Sequence, residues 1–200
     1  MLSTDTSVLT SRYVQAIQWA FEKHYLQVRH NTETPYISHL LSTSALVIEE
    51  GAEEDTAIAA LLHDVLEDQP VSVAEVEHSF GQRVAQIVSA CTDATLMERE
   101  SSSWRERKEA HLVRMRGFDP ETLLVMLADK ISSLQALVDD LRRYGPGFFA
   151  GSAQKAEELL WHYREANKVF RAKLNRVALL ERFSVLISDA TKLAGLDGDL

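Results

Sequence analysis

Cysteine is almost missing from this chain: Cys91 stands alone among 200 residues, so no internal disulfide can form and packing must hold the fold. Long apolar runs are missing too. LLVMLA at 123–128 is cut off by Asp129 and Lys130, far short of the roughly 20 residues a membrane span needs. The first thirty residues contain no basic stretch followed by an apolar run and a cleavage site, so a cytoplasmic protein is expected. Basic residues are the minority, 21 against 30 acidic ones, and the net charge of -9 argues against nucleic acid as a partner. It leaves room for a small anionic ligand, which needs only a local cluster of cations. Strand-like alternation, internal repeats and low-complexity tracts are also absent.

What remains is an apolar content of 46%, enough for one sizeable core, arranged with residues recurring at three and four positions. The expected fold class is all-α. A single domain over 1–200 is expected, with a motif-bearing core of about 20–171 and a C-terminal helix of about 172–194. Thr34-Pro35 has the form of an N-cap followed by a first-turn proline, with Gly51 closing that helix and His39 in its first turns. A second helix is expected from about Glu54 to Glu67, ending before Pro70. Ser72 and Glu75 have capping-box spacing, and QRVAQIVSAC continues with helical periodicity. Residues 93–103 read as a loop. WRERKEAHLVRM reads as a charged helix stopped by Gly117, and Asp119-Pro120 opens a long one with Leu124, Leu127, Ile131, Leu134, Val138 and Leu141 on its apolar side. Two more helices are expected from Ser152 to about Leu193. The arc of Leu174, Val177, Phe183 and Leu186 would either complete the core or serve an interface, which leaves the oligomeric state open.

The segment LLHDVLED carries the chemistry. Asp64, Glu67 and Asp68 are spaced three and four apart, so their charges meet on one helical face, where the negative end of the helix dipole adds to the repulsion. A cation would relieve this, with His63 and Asp64 as ligands. The competing reading is a solvated acidic helix end with an incidental core histidine. His39, in YISHL, is by itself more often structural than a ligand. Asp129 is more telling, because it interrupts an apolar run where an unpaired carboxylate would pay a heavy desolvation cost. Its simple alternative is a surface pair with Lys130.

The ordered series YISHL, LLHDVLED and LADK resembles the signature of HD phosphohydrolases, specifically the hydrolase domains of RelA/SpoT-type proteins. Arg29, the ERK run at Glu106-Arg107-Lys108, the YGPGFFAG segment and Tyr163 resemble that family as well. The resemblance implies an all-α HD-domain bundle of the stand-alone small alarmone hydrolase type. It implies that His39, His63, Asp64 and Asp129 bind one divalent metal, with manganese expected and zinc or iron equally compatible with mixed nitrogen and oxygen donors. Glu67 and Asp68 match the catalytic pair, one of them orienting or deprotonating the attacking water. Arg29, His30, Asn31, Lys130 and Ser133 match positions that contact the nucleotide. The implied activity is hydrolysis of the 3′-pyrophosphate of guanosine tetra- or pentaphosphate, with a small-molecule nucleotide as partner and neither nucleic acid nor membrane.

Three departures from the family pattern fall at positions that match its nucleotide pocket. Ser133 and Ala136 stand where the family usually has asparagine and threonine, and His30 stands where a basic residue is usual. These keep open hydrolysis of another nucleotide, such as an NADPH 2′-phosphate or a nucleoside monophosphate, and, further off, a non-catalytic nucleotide-binding module. The basic run Arg105, Arg107, Lys108 and His111 would either meet distal phosphates or face solvent. Phe148-Phe149 reads as a packed anchor and Cys91 as a small core residue.

Overall fold

The computed structural model describes residues 9–29, 32–93, 103–149 and 155–196, and among them it contains helices and no strand. The first helix, α1 (Ser11–Lys23), is absent from the sequence expectations; it is amphipathic and buries only Ala16 and Ala20 fully. The Thr10 side chain caps it by accepting from Arg12 N. Arg12 then reaches Glu54, Asp55 and the Phe80 carbonyl, tying α1 to the helices below.

The helix that carries His39, α2 (Ile37–Glu49), begins later than Thr34-Pro35 suggests, and no side chain caps it. The Thr34 carbonyl accepts from Arg29 N at 2.9 Å, Tyr36 N donates to Gln27 O at 2.9 Å, and Val28 and Pro35 form an isolated bridge. Those backbone groups are committed to a short two-sided loop, so a capped helix start there is ruled out. Gly51 closes α2 with a φ of 72°, a conformation that costs glycine little.

The expected helix from Glu54 to Glu67 is also interrupted. It runs as α3 (Glu54–Leu62), breaks at His63-Asp64, and resumes as the short α4 (Val65–Asp68). His63 Nδ1 sits 2.9 Å from the Ala60 carbonyl and so takes over an acceptor that the helix would otherwise use. After it come α5 (Val73–Phe80), with the expected Ser72/Glu75 capping box, and α6 (Gln82–Cys91). Of the expected loop at 93–103, residues 94–102 lie outside the described residues. The charged helix is α7 (Trp104–Met115).

The long helix is α8 (Pro120–Tyr144), capped by Asp119, whose side chain accepts from Glu121 N and Thr122 N. Arg83 grips Asp119 at 2.7 Å and Glu121 at 2.5 Å, fixing the start of α8 against α6. All six apolar residues assigned to its inner side are buried, and α8 packs against α2, α3, α6 and the two helices that follow, α9 (Ala156–Lys173) and α10 (Val177–Leu193). Full burial of one such leucine stabilises a fold by about 1.5–3 kcal/mol, so this one helix face is a main anchor of the core. Leu174, Phe183 and Leu186 are buried and complete that core, while Val177 stays exposed. Phe148 and Phe149 are half-buried in a 3-10 turn after α8 and pack on the core, as their expected anchor role requires.

Candidate metal centre

The centre forms where α2, the α3/α4 break and α8 meet. His39 and His63 are buried with their Nε2 atoms 3.3 Å apart. Asp64 Oδ2 lies 3.0 Å from His63 Nε2 and 3.5 Å from His39 Nε2, and Asp129 Oδ1 lies 3.7 and 3.4 Å from the same two atoms. The break in the helix is what lets two consecutive residues, His63 and Asp64, face one point. An unbroken helix would set them about 100° apart.

Hydrogen bonding decides what these nitrogens present. A backbone carbonyl only accepts, so His63 Nδ1 carries a hydrogen toward Ala60 O, and Nε2 of the neutral ring presents a lone pair. That lone pair points at carboxylate oxygens, an arrangement that calls for a proton or a cation. Burial opposes a charge on His63, but Asp64 and Asp129 outweigh it and hold the imidazole pKa well above its ordinary value. Burial likewise disfavours both carboxylates. The charge of His63 and bonds from both histidines nevertheless hold Asp64 well below the usual range, and Lys130 with the same histidines does so for Asp129. His39, His63 and Asp129 offer donor atoms all within 4.8 Å of one another, and Asp64 Oδ2 adds a fourth beside the histidines. Two imidazole nitrogens and two carboxylate oxygens suit a first-row divalent ion, so the donor set fits a metal.

Around this cluster is a cavity of about 200 Å³, lined also by Tyr36, Glu67, Lys108, His111, Lys130 and Ser133. Asp129 combines both of its sequence readings: Oδ1 faces the histidines while Oδ2 accepts from Lys130 Nζ at 2.6 Å. Burial alone would lower the Lys130 pKa, but Asp129 raises it, so the ammonium persists beside the cavity. Ser133 Oγ donates to Asp129 Oδ1 at 3.3 Å, one turn along α8. Lys108 pairs with Asp93, and both line the cavity. Arg105 instead stacks on Trp161, 3.1 Å from the ring centroid, so the basic run divides between the cavity and the surface. Cys91, at the end of α6, is half-buried: it packs against the core, as expected of a small core residue, and also lines the cavity.

The Glu67-Asp68 pair is split. Glu67 lines the cavity, whereas Asp68 accepts from Gln27 Nε2 at 2.7 Å, and Gln27 in turn bonds His24 and Gln69. Arg29 is not brought to the same cavity. It lines a second one of about 370 Å³ with Ser38, Ser42, Ser132, Gln135 and Ala136. His30 and Asn31 lie outside the described residues. Sequence reasoning missed Tyr36, whose hydroxyl donates to Asp64 Oδ2 at 2.5 Å and whose pKa is raised by burial and then by the charges of Asp64 and Asp68. Its place inside YISHL, three residues before His39, was the available signal. Gln27 carried none, because its contact with Asp68 spans 41 positions.

The HD domain profile matches residues 16–147. The chain belongs to the HD-domain family. A relative from Xenopus tropicalis, named guanosine-3′,5′-bis(diphosphate) 3′-pyrophosphohydrolase MESH1, is 32% identical over 192 residues, covering 92% of this chain and 100% of the relative. The protein of that name from Drosophila melanogaster is 33% identical over 131 residues, 64% of this chain and 70% of its own length. A solved structure, described as a metazoan ortholog of SpoT that hydrolyzes ppGpp and plays a role in starvation responses, superposes with a TM-score of 0.67. It has 27% sequence identity and covers 94% of this chain and 98% of that one. That superposition shows that this chain and the solved structure share one fold.

Proposed function

We propose that this chain hydrolyses the 3′-pyrophosphate of guanosine tetra- or pentaphosphate, releasing pyrophosphate, with one divalent ion, manganese, held by His39, His63, Asp64 and Asp129. The observation that carries the reading is the convergence of four donor atoms from α2, the α3/α4 break and α8 in a cavity that also contains Glu67 and two lysines. The full-length match to the Xenopus tropicalis protein supports the substrate. The reaction takes place within one HD domain, acting in the cytoplasm on a free nucleotide.

Hydrolysis breaks the bond between the 3′-oxygen and its phosphorus and joins that phosphorus to the oxygen of water. One water proton must leave, and the 3′-oxygen must gain one. When bound, the ion supplies Lewis acidity at the phosphoryl group. Glu67 takes the water proton, because it lines the cavity and Asp68 does not. Asp68 then fixes the end of α4 and so the direction of Glu67. Lys130 and Lys108 offset the charge of the pyrophosphate as it departs. Tyr36, kept protonated, donates to Asp64 and holds that carboxylate toward the histidines. Arg29 receives the nucleoside end in the second cavity, and Ser133 meets the ligand where the two faces of α8 adjoin.

One observation favours a second reading, hydrolysis of a different nucleotide such as an NADPH 2′-phosphate. Ala136 lines the Arg29 cavity and offers no hydrogen bond there. A single assay separates the two: manganese-loaded protein is presented with a nucleotide panel while pyrophosphate and orthophosphate are resolved. Pyrophosphate from guanosine tetraphosphate is the expected product. Orthophosphate from another nucleotide alone would replace the first reading with the second.

A further inference from the structure

The two buried histidines of the centre are held from behind by different chemistry. His63 Nδ1 faces a backbone carbonyl, which can only accept and which no side-chain substitution removes. His39 Nδ1 faces Ser132 Oγ at 2.9 Å, with both residues buried. A hydroxyl both donates and accepts, so it is compatible with either neutral tautomer of the ring. Only the tautomer with hydrogen on Nδ1 leaves the His39 Nε2 lone pair directed at the point where His63, Asp64 and Asp129 converge.

We propose that Ser132 is a positioning residue: it accepts the His39 Nδ1 hydrogen and so keeps Nε2 available as a metal ligand. Ser132 is placed for this by α8 itself. It lies three residues after Asp129, so one helical turn delivers a carboxylate to the front of the His39 ring and a hydroxyl to its back. A shift of α8 by one residue would lose both contacts together. Ser132 also lines the 370 Å³ cavity that contains Arg29, which leaves space beside its side chain for one more methyl group. A neutral ring without this partner would sample both tautomers, and a metal ion would then have to pay for selecting one of them. Loss of a hydrogen-bond partner behind a metal-bound imidazole typically costs 10–100-fold in metal affinity.

The inference rests on the metal reading of the cluster, and its test begins from metal-free protein. Manganese(II) is titrated calorimetrically into the wild type, Ser132→Ala and Ser132→Thr, and the His39 tautomer is read by long-range nitrogen–proton correlation in the metal-free state. Ser132→Ala removes one buried oxygen and no carbon, so its fold is monitored by circular dichroism and by the unchanged nitrogen pattern of His63. The expected results are a loss of about 10-fold or more in manganese affinity for Ser132→Ala, mixed tautomers of His39 in that variant only, and recovery of both properties in Ser132→Thr. If Ser132→Ala binds manganese as tightly as the wild type, or if His39 keeps hydrogen on Nδ1 without the hydroxyl, the proposed role is wrong. Failure of the wild type to bind manganese would overturn the metal reading itself, and is distinguishable because it needs no variant.

Discussion

Two pairs of buried histidines lie within the same part of this molecule and face charges of opposite sign. His39 and His63 face two carboxylates, and His63 is held well above the ordinary imidazole pKa despite its burial. His111 and His162, on α7 and α9, are also buried but lie near Lys130 and Lys108, and burial followed by those charges pushes them down to about 3 and about 2. His111 Nε2 reaches the Ala90 carbonyl at 3.3 Å, whereas neither ring nitrogen of His162 has a hydrogen-bond partner among the described residues. Burial alone therefore says nothing about which histidine can bind a cation; the charges facing it do. A ring among carboxylates is ready for a metal, and a ring among ammonium groups is kept neutral and serves as packing.

The largest effect expected from this contrast comes from removing the carboxylates. An Asp64→Ala, Asp129→Ala double variant should lose its bound metal, and its nucleotide hydrolysis should fall to background, as measured by elemental analysis and pyrophosphate release. Retention of full metal content would mean that the histidine pair owes nothing to its acidic neighbours. Next in size is Glu67→Gln, which removes the proposed proton acceptor and leaves all four donor residues intact. It should bind metal normally while turnover at saturating substrate drops on the order of 10²-fold.

Acid should expose the second pair. The folded-state values of about 3 and about 2 lie below the ordinary 6.5, so between them the unfolded chain binds protons that the folded chain refuses. Stability is then complete above pH 6.5 and declines as pH falls below it, by up to ~1.4 kcal/mol per pH unit for each histidine. His63 runs the other way in metal-free protein: its contribution is complete below pH 6.5 and is lost as pH rises through its raised folded value. Urea midpoints measured from pH 7.5 down to 4.5 should show the decline, and His162→Phe should flatten it by about half. At pH 7.5, where His162 is neutral in either state, the same substitution exchanges an unpartnered polar ring for an apolar one beside Trp104, Trp161 and Tyr163. It should be neutral or raise Tm by about 2–4 °C, the smallest effect in the series.

Much of this was legible in the sequence, for identifiable reasons. Period and punctuation located α8, because Asp119-Pro120 and Gly145 mark its ends and a continuous apolar face lies between them. The capping box of α5 could be read from Ser72 and Glu75 alone. Asp129 stood out because a carboxylate inside LLVMLADK requires a partner. The break at His63-Asp64 was not legible, since it depends on His63 bonding back to Ala60, and neither residue type forces a helix to end. The loop that delays α2 was hidden for a similar reason: Thr34-Pro35 satisfies the local rules for a helix start, but the Thr34 carbonyl is claimed by Arg29 N and the adjoining Tyr36 N–H by the Gln27 carbonyl. The separation of Arg29 from the metal cavity depends on which face of α8 each residue meets, a matter of packing and not of spacing.

The most direct test of the central claim is to strip the protein with chelator and add manganese back in steps while following pyrophosphate released from guanosine tetraphosphate. The account predicts no release from the stripped protein, a rise that saturates near one equivalent of metal per chain, and pyrophosphate rather than orthophosphate as the product. Undiminished release from fully stripped protein, or no release at any manganese concentration, would contradict it.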